Sequence, residues 1–115
     1  MQKLFIFSLL IIFVSACTPT PDPGSGQNLA VLNGCTSCHS VDDITKIAPP
    51  WRGLYGSQIE LDNGNKITVN DEYLIESIKS PNAKIVKGYT KGAMPLIDLT
   101  EEEIANIVAY IKSVK

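Results

Sequence analysis

Residues 35–39 read Cys35-Thr36-Ser37-Cys38-His39, two thiols one helical turn apart with an imidazole directly behind them. On a helical turn, positions i and i+3 share a face, so both sulfurs can point the same way. Thiols placed like this can form thioethers to the vinyl groups along one edge of a porphyrin, and the adjoining imidazole can then reach the iron. This spacing is the signature of covalent haem attachment. A bare Cys-x-x-Cys says less, because thiol redox motifs and halves of zinc sites share it. Here His39 is the sole histidine and the remaining cysteine is Cys17. A tetrahedral zinc site therefore lacks ligands, and no apolar strand-like run precedes Cys35 to provide a thioredoxin-like context.

The chain of 115 residues is long enough for one small domain. Such a domain is marginal in core size, and a haem would supply the missing buried apolar surface. Lys and Arg number 10 against 12 Asp and Glu, a balance that predicts no nucleic-acid partner. Residues 1–16 read as a targeting segment: Lys3 is followed by an apolar run from Leu4 to Val14, too short for the ~20 residues that span a bilayer. The run ends in Val14-Ser15-Ala16-Cys17, which resembles the lipobox of bacterial lipoproteins. That resemblance implies cleavage before Cys17 and its lipidation, on the extracytoplasmic side of a bacterial membrane. An ordinary signal peptide followed by an incidental thiol is the alternative, although a lone exposed thiol in an oxidising compartment is a liability. Residues 17–27 read as a tether. Pro19, Pro21 and Pro23 favour polyproline II, Gly24-Ser25-Gly26 favours flexibility, and at ~3 Å per residue the reach is roughly 30 Å.

Residues 28–115 read as one mainly helical domain with a short hairpin. Asn28 to Gly34 is expected to be a short helix delivering the Cys-x-x-Cys-His turn. The stretch from Ser40 to Gly56 is rich in Pro and Gly and is expected to loop. Ile59-Glu60-Leu61 and Lys66-Ile67-Thr68-Val69 flank the turn signal Asp62-Asn63-Gly64-Asn65, which predicts a hairpin. Asn70 can cap a helix running to Lys79 with Leu74, Ile75 and Ile78 on its buried face, and Pro81 ends it. Thr100 and Glu103 form a capping box for a last helix whose Ile104, Ile107, Val108 and Ile111 make a buried stripe. Between these helices lies a loop with Met94-Pro95, and Met94 is the only methionine beyond the initiator.

The order of Cys-x-x-Cys-His, proline loop, middle helix, Met-Pro loop and C-terminal helix resembles class I cytochrome c over the whole domain. More narrowly, residues 51–57 (Trp51-Arg52-Gly53-Leu54-Tyr55-Gly56-Ser57), 80–88 and 99–104 resemble the cytochrome c domain fused to subunit II of some bacterial haem-copper oxidases. This chain lacks the copper-binding half of that subunit. The resemblance implies a small helical fold wrapped around one haem c, thioethers at Cys35 and Cys38, His39 as proximal iron ligand and Met94 as distal ligand. It also implies that a proline carbonyl accepts a hydrogen bond from the proximal imidazole. The matching pair is Ala48-Pro49, with alanine where the family has glycine, which makes Pro49 the candidate acceptor. Trp51 and Tyr55 are candidates to line the haem or reach a propionate.

Such a protein would pass single electrons between Fe(II) and Fe(III) with both axial positions filled, as a carrier and not an enzyme. By resemblance it would be a monomer taking electrons from a quinol-oxidising complex at the membrane surface and delivering them to a terminal oxidase or other acceptor. Lys79, Lys84, Lys87 and Lys91 could ring the haem edge beside Met94 and steer an acidic partner, while Asp98, Glu101, Glu102 and Glu103 follow immediately. Two other readings remain open at this level: a haem sensor or peroxidase-like protein with Met94 displaced, and a haem-free lipoprotein in which Cys35 and Cys38 exchange disulfides.

Overall fold

The computed structural model describes residues 17–42, 44–45 and 47–115. The expected signal peptide, residues 1–16, lies outside them. The elements run α1 (Pro23–Leu32), α2 (Cys35–Cys38), β1 (Gln58–Glu60), β2 (Lys66–Thr68), α3 (Asp71–Lys79) and α4 (Glu101–Ser113). Among the described residues, no helix is long and apolar enough to cross a membrane.

The two later helices form where local chemistry starts them. Asn70 Oδ1 accepts from the Tyr73 N–H at 2.8 Å to open α3, and the capping box opens α4. There Thr100 Oγ1 accepts from the Glu103 N–H, and Glu103 Oε2 accepts from the Thr100 N–H at 2.8 Å. Each bond satisfies a backbone group that the first helical turn cannot pair itself. Those bonds hold the Glu103 carboxyl below its ordinary pKa. The hairpin pairs Gln58 with Thr68, Ile59 with Ile67 and Glu60 with Lys66, and its turn closes where the Gly64 N–H reaches the Leu61 carbonyl at 2.9 Å.

The N-terminal helix begins earlier than composition suggests. Residues 23–27, expected to belong to an extended tether, form the first turns of α1. Asp22 caps it through the Gly24 and Ser25 N–H groups, and Pro23 occupies the first helical position, where its missing N–H costs nothing. Tertiary contact then decides the issue. The Asp22 N–H donates to Asn106 Oδ1 of α4 at 2.7 Å, and Gly26 is buried where the two helices cross. A Cβ on Gly26 would sit 1.9 Å from the Asn106 carbonyl oxygen. The small Gly-Ser-Gly run thus serves close helix packing and not chain flexibility.

The core consists of the α4 stripe Ile104, Ile107, Val108 and Ile111 together with Ala30, Trp51, Val69, Tyr73 and Leu74. Ile75 and Ile78, expected on the buried face of α3, are half-buried against this core.

Gly26→Ala is expected to destabilise the protein by about 1–3 kcal/mol through overpacking at the crossing. Gly24→Ala meets nothing closer than the Asp22 side chain at 3.5 Å and should be neutral or mildly stabilising. Denaturant unfolding of the two variants checks the contrast.

Candidate functional site

The turn that carries the chemistry is set by one glycine. The chain leaves α1 at Asn33 and must reverse direction before α2, and Gly34 does this at φ 74°, a left-handed conformation that costs other residues more. Residues 35–38 then make a single helical turn, and the His39 N–H closes it on the Cys35 carbonyl at 2.9 Å. His39 itself is extended. Cys35 and Cys38 are both free thiols. Burial pushes the Cys35 thiol above its ordinary pKa, and nearby Cys38 adds to the rise.

The His39 Nδ1 donates to the Pro49 carbonyl oxygen at 2.7 Å. Since a carbonyl can only accept, this bond fixes the tautomer and leaves the Nε2 lone pair available as a ligand. Burial lowers the imidazole pKa, opposed by the Pro49 hydrogen bond, so the neutral, ligating form prevails at neutral pH. The Trp51 indole stacks on the imidazole, 5.0 Å between centroids.

These groups line one cleft of about 1170 Å³, counting its open mouth. Cys35, Cys38, His39, Pro49, Trp51 and Met94 all contribute to its wall. So do Ile78, Ile85, Val86, Ile97, Leu99 and Ile107, which make it predominantly apolar. Met94 arrives on the loop between α3 and α4. That loop is closed where Asn82 Oδ1 accepts from the Gly92 N–H at 2.7 Å, and it is pinned to the hairpin where the Lys87 N–H meets the Glu60 carbonyl at 2.9 Å.

The cleft fits a haem on three grounds. Its wall is mostly apolar side chains drawn from α3, α4 and the loop between them, which suits a large apolar ring. Its thiols, imidazole nitrogen and thioether are the donors that attach a porphyrin and bind iron. Finally, Ser77 Oγ on α3 lines the cleft and is buried without a hydrogen-bond partner among the described residues. Tyr73, one turn earlier, approaches it closely enough that hydrogen bonding with Ser77 offsets part of the burial-driven rise in the Tyr73 pKa, in a contact looser than a full hydrogen bond. An orphaned buried hydroxyl costs about 1–3 kcal/mol unless an occupant pairs with it. Sequence reasoning did not single out Ser77, since nothing in its local pattern marks it.

Tyr55 is not brought to the cleft. It lies 40% exposed, its ring 4.8 Å under the Lys112 ammonium. Lys112 also pairs with Asp71 at 2.8 Å. The Asp71 carboxyl is held below its usual pKa first by Lys112 and then by a hydrogen bond from Tyr55. The residue thus belongs to a surface latch between the proline loop, α3 and α4. Three of the four lysines expected to ring the cleft, all but Lys91, are likewise engaged. Lys79 pairs with Glu101 at 2.6 Å, Lys87 with Glu60 at 2.7 Å, and Lys84 with Glu76.

Comparison with known proteins agrees with this geometry. The family model described as Cytochrome c matches residues 25–115. Among solved structures, the fold is similar to that of cytochrome cH from Methylobacterium extorquens, with a TM-score of 0.61 and 20% identity over 80% of this chain and 98% of that one. No curated protein sequence matches.

Tyr55→Phe is expected to leave the visible absorption spectrum unchanged and to cost about 1 kcal/mol or less in denaturant unfolding, as for other exposed charge contacts.

Proposed function

The chain belongs to the cytochrome c family, with a class I fold and a covalently bound haem c, and from that premise we propose that it is a single-haem electron carrier anchored at the outer face of a bacterial membrane. The observation that carries this reading is the convergence in one apolar cleft of two free thiols, an imidazole whose Nδ1 is already engaged, and a single thioether.

In this reading Cys35 and Cys38 would hold the haem by thioether bonds, and His39 Nε2 and Met94 Sδ would be its iron ligands. The bound group supplies one-electron exchange between Fe(II) and Fe(III). The protein residues set how readily that exchange occurs. Pro49, by accepting from Nδ1, orients the imidazole and raises its basicity. Met94 offers soft sulfur, which favours the ferrous form and raises the potential. The apolar lining penalises the additional charge of the ferric form in the same direction. With His39 and Met94 both serving as iron ligands, the chain would leave no place for a substrate there, and the chemistry supplied would be electron transfer alone.

Cys17 is exposed and follows the lipobox-like Val14-Ser15-Ala16, which supports lipidation there after removal of a signal peptide. Because α1 is capped at Asp22, the free linker from Cys17 spans only about 15 Å at ~3 Å per residue, half of what composition suggests. A domain held that close works on partners embedded in or lying on the same membrane. The likeness of residues 51–57, 80–88 and 99–104 to the cytochrome domain fused to oxidase subunit II supports a respiratory role. Electrons would come from a quinol-oxidising complex and leave to a terminal oxidase or another acceptor.

Protein matured with a haem-attachment system should keep its haem stain through denaturing electrophoresis, and Cys35→Ala with Cys38→Ala should lose it. Met94→Ala should lose the sulfur-to-iron charge-transfer band, lower the reduction potential and bind carbon monoxide rapidly when reduced. Retention of the band would overturn the ligand assignment. Cys17→Ala should move the protein from the membrane to the soluble fraction.

A further inference from the structure

The geometry points to Trp51 as the positioning residue that fixes the plane of the iron-facing imidazole. This rests on His39 being an axial ligand. A single hydrogen bond holds a ring at one point and lets it swing. The bond from Nδ1 to the Pro49 carbonyl, 2.7 Å long, sets where the imidazole nitrogen lies but not how the ring is turned about that line. The indole of Trp51 removes the remaining freedom. Its ring lies 5.0 Å from the imidazole centroid with only 20° between the planes, so a swing of the imidazole would drive one ring into the other.

The indole is itself immobilised from several sides. Trp51 is 5% exposed. Its backbone N–H donates to the Ser40 carbonyl at 2.8 Å and its backbone carbonyl accepts from the Leu54 N–H at 3.1 Å, which fixes the main chain that carries the ring. Tyr110 of α4 meets it edge to face at 6.0 Å and 87°, an arrangement that aromatic quadrupoles favour. Tyr110 in turn lies against the α1 crossing, its Cβ being among the atoms that would crowd a side chain at Gly26. Between the Pro49 carbonyl and the Trp51 ring stands Pro50, whose locked φ makes the pair one stiff unit. The imidazole plane is therefore referred, through Trp51 and Tyr110, to the packing of the terminal helices.

The orientation of an axial imidazole plane governs which iron orbital holds the unpaired electron of the ferric state, and hence how spin is distributed over the macrocycle. The paramagnetically shifted proton resonances of the haem methyl groups read that distribution directly. The test uses ferric holoprotein as wild type, Trp51→Leu and Trp51→Phe, with haem staining after denaturing electrophoresis and the absorption spectrum recorded on each. A wild type without covalent haem defeats the functional reading itself, separately from this inference. With haem present, Trp51→Phe should keep the wild-type order and spread of methyl shifts, because a planar ring still stacks, while Trp51→Leu should lose both. An unchanged pattern in Trp51→Leu overturns the inference, as does an equal change in both variants, which would make side-chain volume the cause. If Trp51→Leu does not mature, Tyr110→Leu frees the far edge of the indole. It should shift the methyl pattern in an otherwise intact holoprotein, and no shift there counts against Trp51.

Discussion

A domain this small can bury only part of what its chain exposes, and this one spends its centre on a cleft. Ile78 from α3, Ile85, Val86 and Ile97 from the following loop, and Ile107 from α4 all face the same space without filling it. Everything else follows from that constraint. The α1–α4 crossing is the broadest helix–helix contact among the described residues, and at Gly26 it is too close to admit a Cβ. The Ser77 hydroxyl, short of a full hydrogen bond among the described residues, faces the same cleft. Because thioethers would keep the haem on the unfolded chain as well, its contribution to stability would come from the apolar surface it buries in the cleft.

The cleft also explains how short-range devices come to control a long-range site. Gly34, the single turn of α2 and the extended His39 place three reactive groups within five residues. The partner that orients the imidazole lies ten residues further on, at Pro49. The thioether comes from a loop that needs Asn82, the hairpin and both flanking helices to hold it. The demands on precision therefore increase with sequence distance.

That gradient describes what the sequence discloses. The Cys35–His39 turn, the caps at Asn70 and Thr100 and the hairpin around Gly64 are local, and their residues announce them. The start of α1 was hidden because Pro23-Gly24-Ser25-Gly26 has the composition of a linker. Its helical character comes from the cap at Asp22 and from Asn106, 84 positions away. Trp51 and Tyr55 look alike in sequence, two aromatics in one proline loop, yet one is buried against His39 and the other sits on the surface under Lys112. Only tertiary packing separates them.

The lysines carry the same lesson in electrostatics. A run with four ammonium groups and one carboxylate reads as a positive face that could steer an acidic partner from a distance. In the folded chain, Glu60, Glu76 and Glu101 are brought in from the hairpin, α3 and the start of α4 to meet three of them. A paired charge acts outward as a dipole, whose field falls off faster than that of a lone charge and is further screened beyond about 10 Å at ordinary ionic strength. Each pair is exposed and contributes little alone. Their placement is nonetheless consistent: Lys79 ties α3 to α4, Lys84 ties the loop back onto α3, and Lys87 ties it to the hairpin. The pairs made by Lys84 and Lys87 thus also hold the segment that delivers Met94.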